Sequence, residues 1–388
     1  MRITIVSGFF LPIPPAAGGA TEKSWYQLAR RFVALGHTVT IVSRRWPGWA
    51  NDETVDGIRH LRLPGFNHRR SLAVNLLLDF FWSWRVHFAL PTADVIVVNA
   101  VTLPAWLGLL KPSAGKVVLM TGRMPKGQYR FYRRIALVLA ASSCVRNRVT
   151  AENPRLAAVT RIYGYPLDWA SLHDAPAERA AGTVTLGYVG RIHEEKGLRL
   201  LAGALEILAR TPGLPAWRIV LCGPADVARG GSGAEFKAAL EQRLTTALPA
   251  GAVSFLEPQF DEHALAQIYR SIDIFCYPSL AEQGETFGLA VAEAMAAGAV
   301  PVVSQLACFT DFVRDGANGL VFNHRSAAPD ATLAEYFIRL LREPALRRQL
   351  ASAATDTARR YDHSDYDAAA LTDFGLLTGP ANPASSAP

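Results

Sequence analysis

Short apolar runs alternate along the chain with segments whose apolar positions recur every three to four residues. RITIVS (2–7) is a run of strand type. EKSWYQLARRFVAL (22–35) sets Trp25, Leu28, Phe32 and Leu35 at helical spacing. Gly36 follows as a helix stop, and HTVTIVS (37–43) reads as the next strand. Similar runs recur at ADVIVVN (93–99), KVVLM (116–120) and ALVLAAS (136–142). A second series comprises TVTLGYVG (183–190), WRIVLCG (217–223), AVSFL (252–256), DIFCYPS (273–279) and AVPVVS (299–304). Strands alternating with helices predict parallel sheet covered on both faces.

Between the two series lies PLDWASLHDAPAERAAG (166–182), polar and rich in Ala and Pro. The pattern therefore predicts an α/β protein of two doubly wound, Rossmann-like domains, 1–168 and 183–360, joined by a linker at 169–182. A length of 388 residues, half of them hydrophobic, agrees with two cores. YDHSDYDAAALTDFGLL (361–377) reads as a last helix, and TGPANPASSAP (378–388) as a disordered tail. Such sheets bind ligands at the carboxyl ends of their strands, so two facing domains would share a cleft. The apolar stretch SLAVNLLLDFFWSWRVHFAL (71–90) contains Asp79, Arg85 and His87. That argues against a transmembrane helix and for a buried or surface-docked one.

Charge narrows the partners without choosing one. A formal net charge of +7 implies an anionic partner: a phosphorylated ligand, a membrane face or nucleic acid. The basic stretches RRFV (30–33), NHRRS (67–71), GRMPKGQYRFYRR (122–134) and VRNR (145–148) contribute most visibly. Arg interleaves there with Tyr129, Phe131 and Tyr132, which suits an anionic membrane interface; nucleic acid is disfavoured. Four scattered cysteines form no CxxC pair and no metal-ligand spacing, so no metal is expected and a reduced, cytoplasmic setting fits. The chain opens on a strand and not on a charged segment followed by an apolar one, which argues against a signal peptide.

Three stretches bear candidate chemistry. In AEQGETFGLAVAEAMAAGAVPVV (281–303), Glu285 and Glu293 flank a run of small apolar residues, where a carboxylate is costly unless partnered. With Gly288 near a helix start, the amides of Phe287, Gly288 and Leu289 offer donors to an anion, and Glu293 would present a carboxylate to hydroxyls. The alternative is a buried glutamate satisfied by a neighbouring arginine. In GYVGRIHEEKG (187–197), Arg191 and Lys196 at a strand-to-helix turn suit a diphosphate, although the Walker pattern is missing. The alternative there is two surface cations beside Glu194 and Glu195. In the first loop, PIPPAAGGAT, Gly18 and Gly19 allow close approach of backbone to a ligand but lack the GxGxxG spacing.

The ordered set resembles the retaining nucleotide-sugar glycosyltransferases of glycosyltransferase family 4. It comprises GGAT after the first strand, LGHTVTIVS, GYVGRIHEEKG, PSLAEQGETFGLAVAEAMAAGAVPVVS and DFVRDGANGLVF. The likeness spans about residues 1–345 and is more specific over 183–323. It implies the GT-B fold, with the acceptor on the N-terminal domain, a UDP- or GDP-sugar donor on the C-terminal one, and a last helix that returns to the first domain. By position, Arg191 and Lys196 match the pair that neutralises the donor diphosphate. Glu285 matches the first glutamate of the E-x7-E motif, near the transferred sugar, and Glu293 the second, on the ribose. The amides of 287–289 match the backbone meeting phosphate and sugar, and Gly19 the loop closing over the diphosphate. The implied acceptor is a surface polysaccharide or lipid-linked intermediate, met in the cytoplasm or at the inner face of the membrane.

One departure stands out. Family members often carry histidines at two N-domain strand ends, where this chain has Asn99 and Thr121-Gly122-Arg123, and no histidine occurs between His87 and His173. Asn99 and Arg123 are then candidate cleft residues. A nucleotide-sugar epimerase, a sugar phosphorylase and a donor-binding accessory subunit without activity are the competing readings.

Overall fold

A computed structural model describes residues 1–16, 19–69, 71–174, 179 and 181–379. The chain divides into two compact units, the first comprising Met1–Pro166 with the segment from His363 onward, the second Leu167–Asp362.

In unit one, the elements are β1 (Arg2–Val6), α1 (Ala20–Ala34), β2 (Thr38–Arg44), β3 (Asp52–Val55), β4 (Ile58–Leu63) and α2 (Leu72–Ala89). They continue with β5 (Val95–Val98), α3 (Leu107–Leu110), β6 (Lys116–Thr121), β7 (Ile135–Ala140), α4 (Ser143–Glu152) and β8 (Thr160–Ile162). The sheet order is β3-β4-β2-β1-β5-β6-β7-β8, parallel except for the β3–β4 hairpin. Every residue of β5 is buried, as expected for a central parallel strand. Trp25, Leu28 and Phe32 of α1 are fully buried. Leu35 leaves this face: it is the C-cap of α1, beyond the last turn, and stands 58% exposed.

All five strands expected in this half are present. The hairpin β3–β4 and the short β8 are additional. β4 gives no strand signal because its inward positions are Ile58, His60 and Arg62, all buried. Arg62 sits against the Trp49 ring at 4.8 Å and donates to the Ala50 carbonyl at 2.6 Å and Glu53 at 2.5 Å. Partners thus make a buried guanidinium tolerable.

Burial, reinforced by Arg62 and opposed by Glu53 and Asp56, lowers the His60 pKa to about 4. An unfolded chain takes this proton near pH 6.5, so the folded state loses stability as pH falls from about 6.5 to about 4, by up to about 3 kcal/mol. Urea unfolding of wild type and His60→Gln across this window checks the effect. The variant should show the flatter profile, and identical slopes would exclude His60 as the cause.

Unit two comprises β9 (Val184–Val189), α5 (Leu198–Arg210), β10 (Trp217–Cys222), α6 (Ala234–Ala247), β11 (Val253–Leu256), α7 (Glu262–Arg270) and β12 (Ile274–Tyr277). After these come α8 (Leu289–Ala296), β13 (Val300–Ser304), β14 (Leu320–Phe322), α9 (Pro329–Arg342) and α10 (Pro344–Ala358). Its all-parallel sheet runs β11-β10-β9-β12-β13-β14. All five expected strands are found, and β14 is added. Leu167 and Asp168, read as the end of the first domain, belong to unit two. Residues 169–174, in the segment read as linker, belong to it as well and bury Trp169 and Leu172. Residues 175–178 and 180 of that segment lie outside the described ones.

The last helix, α11 (His363–Thr378), belongs to unit one. Asp367 pairs with Arg31 of α1, Asp373 with Arg161, and the Tyr163 hydroxyl donates to Asp373 at 2.5 Å. Phe374 meets Phe32 with ring centroids 6.2 Å apart. Of the tail read as disordered, residues 380–388 lie outside the described ones, and Thr378 ends the helix.

Candidate functional site

In unit two the strand order reverses between β9 and β12: β10 and β11 continue on one side, β13 and β14 on the other. A crevice at such a switch point is where doubly wound sheets take their ligands. The loop after β9 brings Arg191 and Lys196 to it, and the loop after β12 brings Ser279 and Glu285. The loops are tied directly, because the Leu280 amide donates to the Glu195 carbonyl at 2.7 Å. Gly197 permits this approach. Its φ is +69°, and a Cβ there would lie 2.0 Å from the Pro278 carbonyl oxygen.

Lys196 and Glu285 form an ion pair, and both are buried. The same Glu285 oxygen accepts from Ser279 at 3.0 Å and from the Tyr277 hydroxyl at 3.2 Å. The Lys196 ammonium also lies 5.3 Å from the Tyr277 ring centroid. Burial, then the Glu285 charge, pushes the pKa values of Tyr188 and Tyr277 well up, so both phenols stay protonated. Glu285 is thus partnered, by a lysine where the alternative reading had an arginine. Arg191 is half-exposed and donates to the Gly230 carbonyl at 2.5 Å and to Glu195 at 2.8 Å. Of the two cations only Arg191 matches the surface alternative.

Glu293 lies inside α8, buried, and accepts from the Tyr269 hydroxyl at 2.8 Å. Burial and Glu293 raise the Tyr269 pKa. Gly288 is the N-cap of α8, with φ +92° and no side-chain cap; Leu289 opens the helix and Phe287 is buried before it. The amide-bearing turn at 287–289 is thus followed within the same helix by Glu293. Sequence reading missed Tyr188 and Tyr277, because aromatic residues in apolar strands read as core. It also missed Tyr269 of α7 and Ser279 past β12, which become carboxylate partners only in the fold.

Unit one has its own switch point, between β1 and β5. Asn99, just past β5, donates its side-chain amide to the Val6 carbonyl at 3.1 Å. Its buried Oδ1 has no partner among the described residues. Gly19 is the N-cap of α1 with φ +105° and no side-chain cap; Gly18 lies outside the described residues. Glu22 in the first turn is buried; burial raises its pKa, against the opposing charge of Arg123. Arg123, after β6, is exposed and stacks over Phe10 at 5.2 Å. Phe10 also meets His68, with ring centroids 5.4 Å apart. Burial and then Arg123 lower the His68 pKa. A histidine therefore joins this group from the β4–α2 loop, where NHRRS was read only as a basic patch. No signal pointed to it, because β4 itself was not foreseen. Among the described residues no group of three or more His, Cys, Asp or Glu side chains is arranged to hold a metal ion.

The family model described as "Glycosyl transferases group 1" matches residues 173–357. Phosphatidyl-myo-inositol mannosyltransferase of Mycobacterium tuberculosis is 32% identical over 395 residues, covering 94% of each chain. D-inositol 3-phosphate glycosyltransferase of Nocardia farcinica is 33% identical over 39% of this chain and 34% of that one. Among solved structures, sucrose-phosphate synthase of Thermosynechococcus elongatus superposes with a TM-score of 0.74 at 20% identity, covering 97% and 98% of the two chains. HepE of Anabaena, in complex with UDP and glucose, superposes at 0.72 and 18%, covering 97% and 100%. The fold these structures share with it is GT-B, and likeness to the mannosyltransferase runs over nearly its whole length. The chain belongs to the group 1 glycosyltransferases and is a glycosyltransferase of GT-B fold.

Proposed function

We propose that the chain transfers a hexose, with retention, from a nucleoside diphosphate sugar bound at the unit-two switch point to an acceptor on unit one. The carrying observation is the buried Lys196–Glu285 pair, with Arg191 on the same loop as Lys196 and the α8 N-terminus after Glu285. Breaking the anomeric C–O bond leaves negative charge on the nucleotide diphosphate. Arg191, Lys196 and the amides at 287–289 supply positive charge and dipole for it. The acceptor oxygen forms its bond on the face the diphosphate leaves, and the departing phosphate oxygen takes the acceptor proton. This route asks for no strong protein base. Glu285 then holds the transferred sugar and Glu293 the ribose.

UDP and GDP both fit this reading, and the UDP in the HepE complex supports the former for that structure. The acceptor is a carbohydrate or lipid-linked intermediate. A phosphatidyl-myo-inositol mannosyltransferase among the relatives supports the lipid-linked kind. With it goes a cytoplasmic place at the inner face of the membrane. Asn99, with its unpartnered oxygen, and Arg123 serve as unit-one contacts.

Thermal shift with UDP, GDP and their hexose conjugates tests the donor site. A ligand at about 100 times its Kd adds about 2.7 kcal/mol to stability. One nucleotide series should raise the unfolding temperature, and the same conjugate should be slowly hydrolysed. No shift with any of them removes the donor site. A shift without hydrolysis or transfer selects the accessory-subunit reading.

A further inference from the structure

Helix α2 is built inside out. Its buried side chains include Asn75, Asp79 and Ser83 together with Trp82 and Val86. Its outward side chains include Leu72, Leu77, Phe80, Phe81, Trp84 and Phe88, between 42% and 67% exposed. A helix on the surface of a water-soluble domain shows the reverse. At about 100° per residue these outward positions sweep roughly half the circumference, so they form one face and not scattered points. Four aromatic rings of about 150–250 Å² each, half-exposed, already reach the few hundred Å² that marks an interaction surface.

Specific bonds hold this orientation. Asp79 accepts from the Thr102 amide and hydroxyl at 2.7 Å each and from the Val101 amide at 3.2 Å. Asn75 donates to the Arg69 carbonyl at 2.6 Å and accepts from its amide at 2.8 Å, and Trp82 donates to the Ser7 carbonyl at 3.1 Å. Rolling the helix to hide its apolar face would strip all of these, so the exposure is built in. The face also extends beyond α2. Lys111 donates to the carbonyls of His87 and Leu90, which places α3 beside the end of α2, and Leu110 of α3 is 66% exposed.

The charge around this face is mostly positive. Residues 64–116 contain Arg69, Arg70, Arg85, Lys111 and Lys116 against two acids, of which Asp79 is buried and Asp94 is paired with Arg2. We propose that the outward face of α2, continued by α3, docks on an anionic lipid bilayer. Its Phe, Trp and Leu side chains would enter the interface while Arg69, Arg85 and Lys111 meet lipid phosphates. An apolar face with aromatic and cationic borders has the composition of an interfacial helix. A second copy of this chain fits poorly, because a two-fold contact would set the same cationic rim against itself. Among the described residues no helix is long and apolar enough to cross a membrane, so the contact is peripheral. The inference stands apart from the transfer reaction, since it needs nothing from unit two.

Co-sedimentation with vesicles tests it, using phosphatidylcholine alone and phosphatidylcholine with phosphatidylglycerol in equal parts. Wild type should bind the mixed vesicles about tenfold or more better than the neutral ones, and added salt should erode the difference. Phe81→Ser/Trp84→Ser/Phe88→Ser should lose about tenfold or more in vesicle binding. Its unfolding temperature and nucleotide affinity should stay unchanged, because these side chains face outward. Failure of wild type to bind mixed vesicles overturns the proposal, as does equal binding by the variant. So would a wild-type dimer that the same substitutions split into monomers without any vesicle binding; sedimentation velocity reads that outcome.

Discussion

Lys196→Met is expected to weaken nucleoside diphosphate binding by about 100-fold and to lower folding stability by about 3–5 kcal/mol. The two losses share one cause. Lys196 is buried against Glu285, and removing the ammonium strands a buried carboxylate. Ser279 and Tyr277 still donate to that carboxylate, which places the stability loss toward the lower figure. Lys196→Met/Glu285→Gln separates the effects. With both charges gone, the hydroxyls still bond a neutral amide, so much of the stability should return and the double loss should be well below the sum of the single ones. Nucleotide affinity should not return, because the cation proposed to meet the diphosphate is still missing. Isothermal titration with UDP and GDP, beside urea unfolding of all four proteins, reads both quantities. Unchanged nucleotide binding in a folded Lys196→Met protein would remove the diphosphate role.

Which parts were legible in advance follows from how each signal is encoded. Central parallel strands are buried on both faces, so β5 and β12 announce themselves as unbroken apolar runs, and β1, β2 and β9 as apolar runs interrupted only by small polar residues within the buried stretch. β4 is hidden because His60 and Arg62 occupy inward positions, which periodicity counts as polar. β8 and β14 span three residues each, too few to carry any period. In α2 the apolar stretch was visible, yet it did not say which side faces water. That depends on Thr102, Arg69 and Ser7 accepting or supplying bonds from elsewhere in the chain.

The donor-site candidates were legible for a different reason. Arg191 and Lys196 share one loop, and Glu285, Gly288 and Glu293 lie along one loop and the helix that follows it, so spacing along the chain reflects spacing in the fold. What joins the loops was not legible, since it depends on β9 and β12 being neighbours in the sheet. Tyr269, Tyr277 and Ser279 become carboxylate partners only in that arrangement. His68 is the same case in unit one: it reaches Phe10 and the field of Arg123 only because an unforeseen strand ends nearby.

The two glutamates should part company in kinetics. Glu285→Gln keeps an acceptor for Ser279 and Tyr277 but removes the countercharge of Lys196. The freed ammonium then has no competitor for a diphosphate, so nucleotide binding should hold or tighten. Turnover should fall by about 10²–10³, as expected when a charge aimed at the reacting centre is lost. Glu293→Gln removes a carboxylate of α8 that accepts from the Tyr269 hydroxyl of α7. Its loss should weaken nucleoside diphosphate binding by about tenfold, the worth of a hydrogen bond to a charged group, with a smaller effect on kcat. Titration of the free nucleotide against both variants, with kcat and KM for the sugar donor, separates the cases. Equal weakening of nucleotide binding by both would show that the carboxylates do not divide sugar from ribose. A Glu285→Gln enzyme with undiminished kcat would place the reacting centre elsewhere on the switch-point crevice.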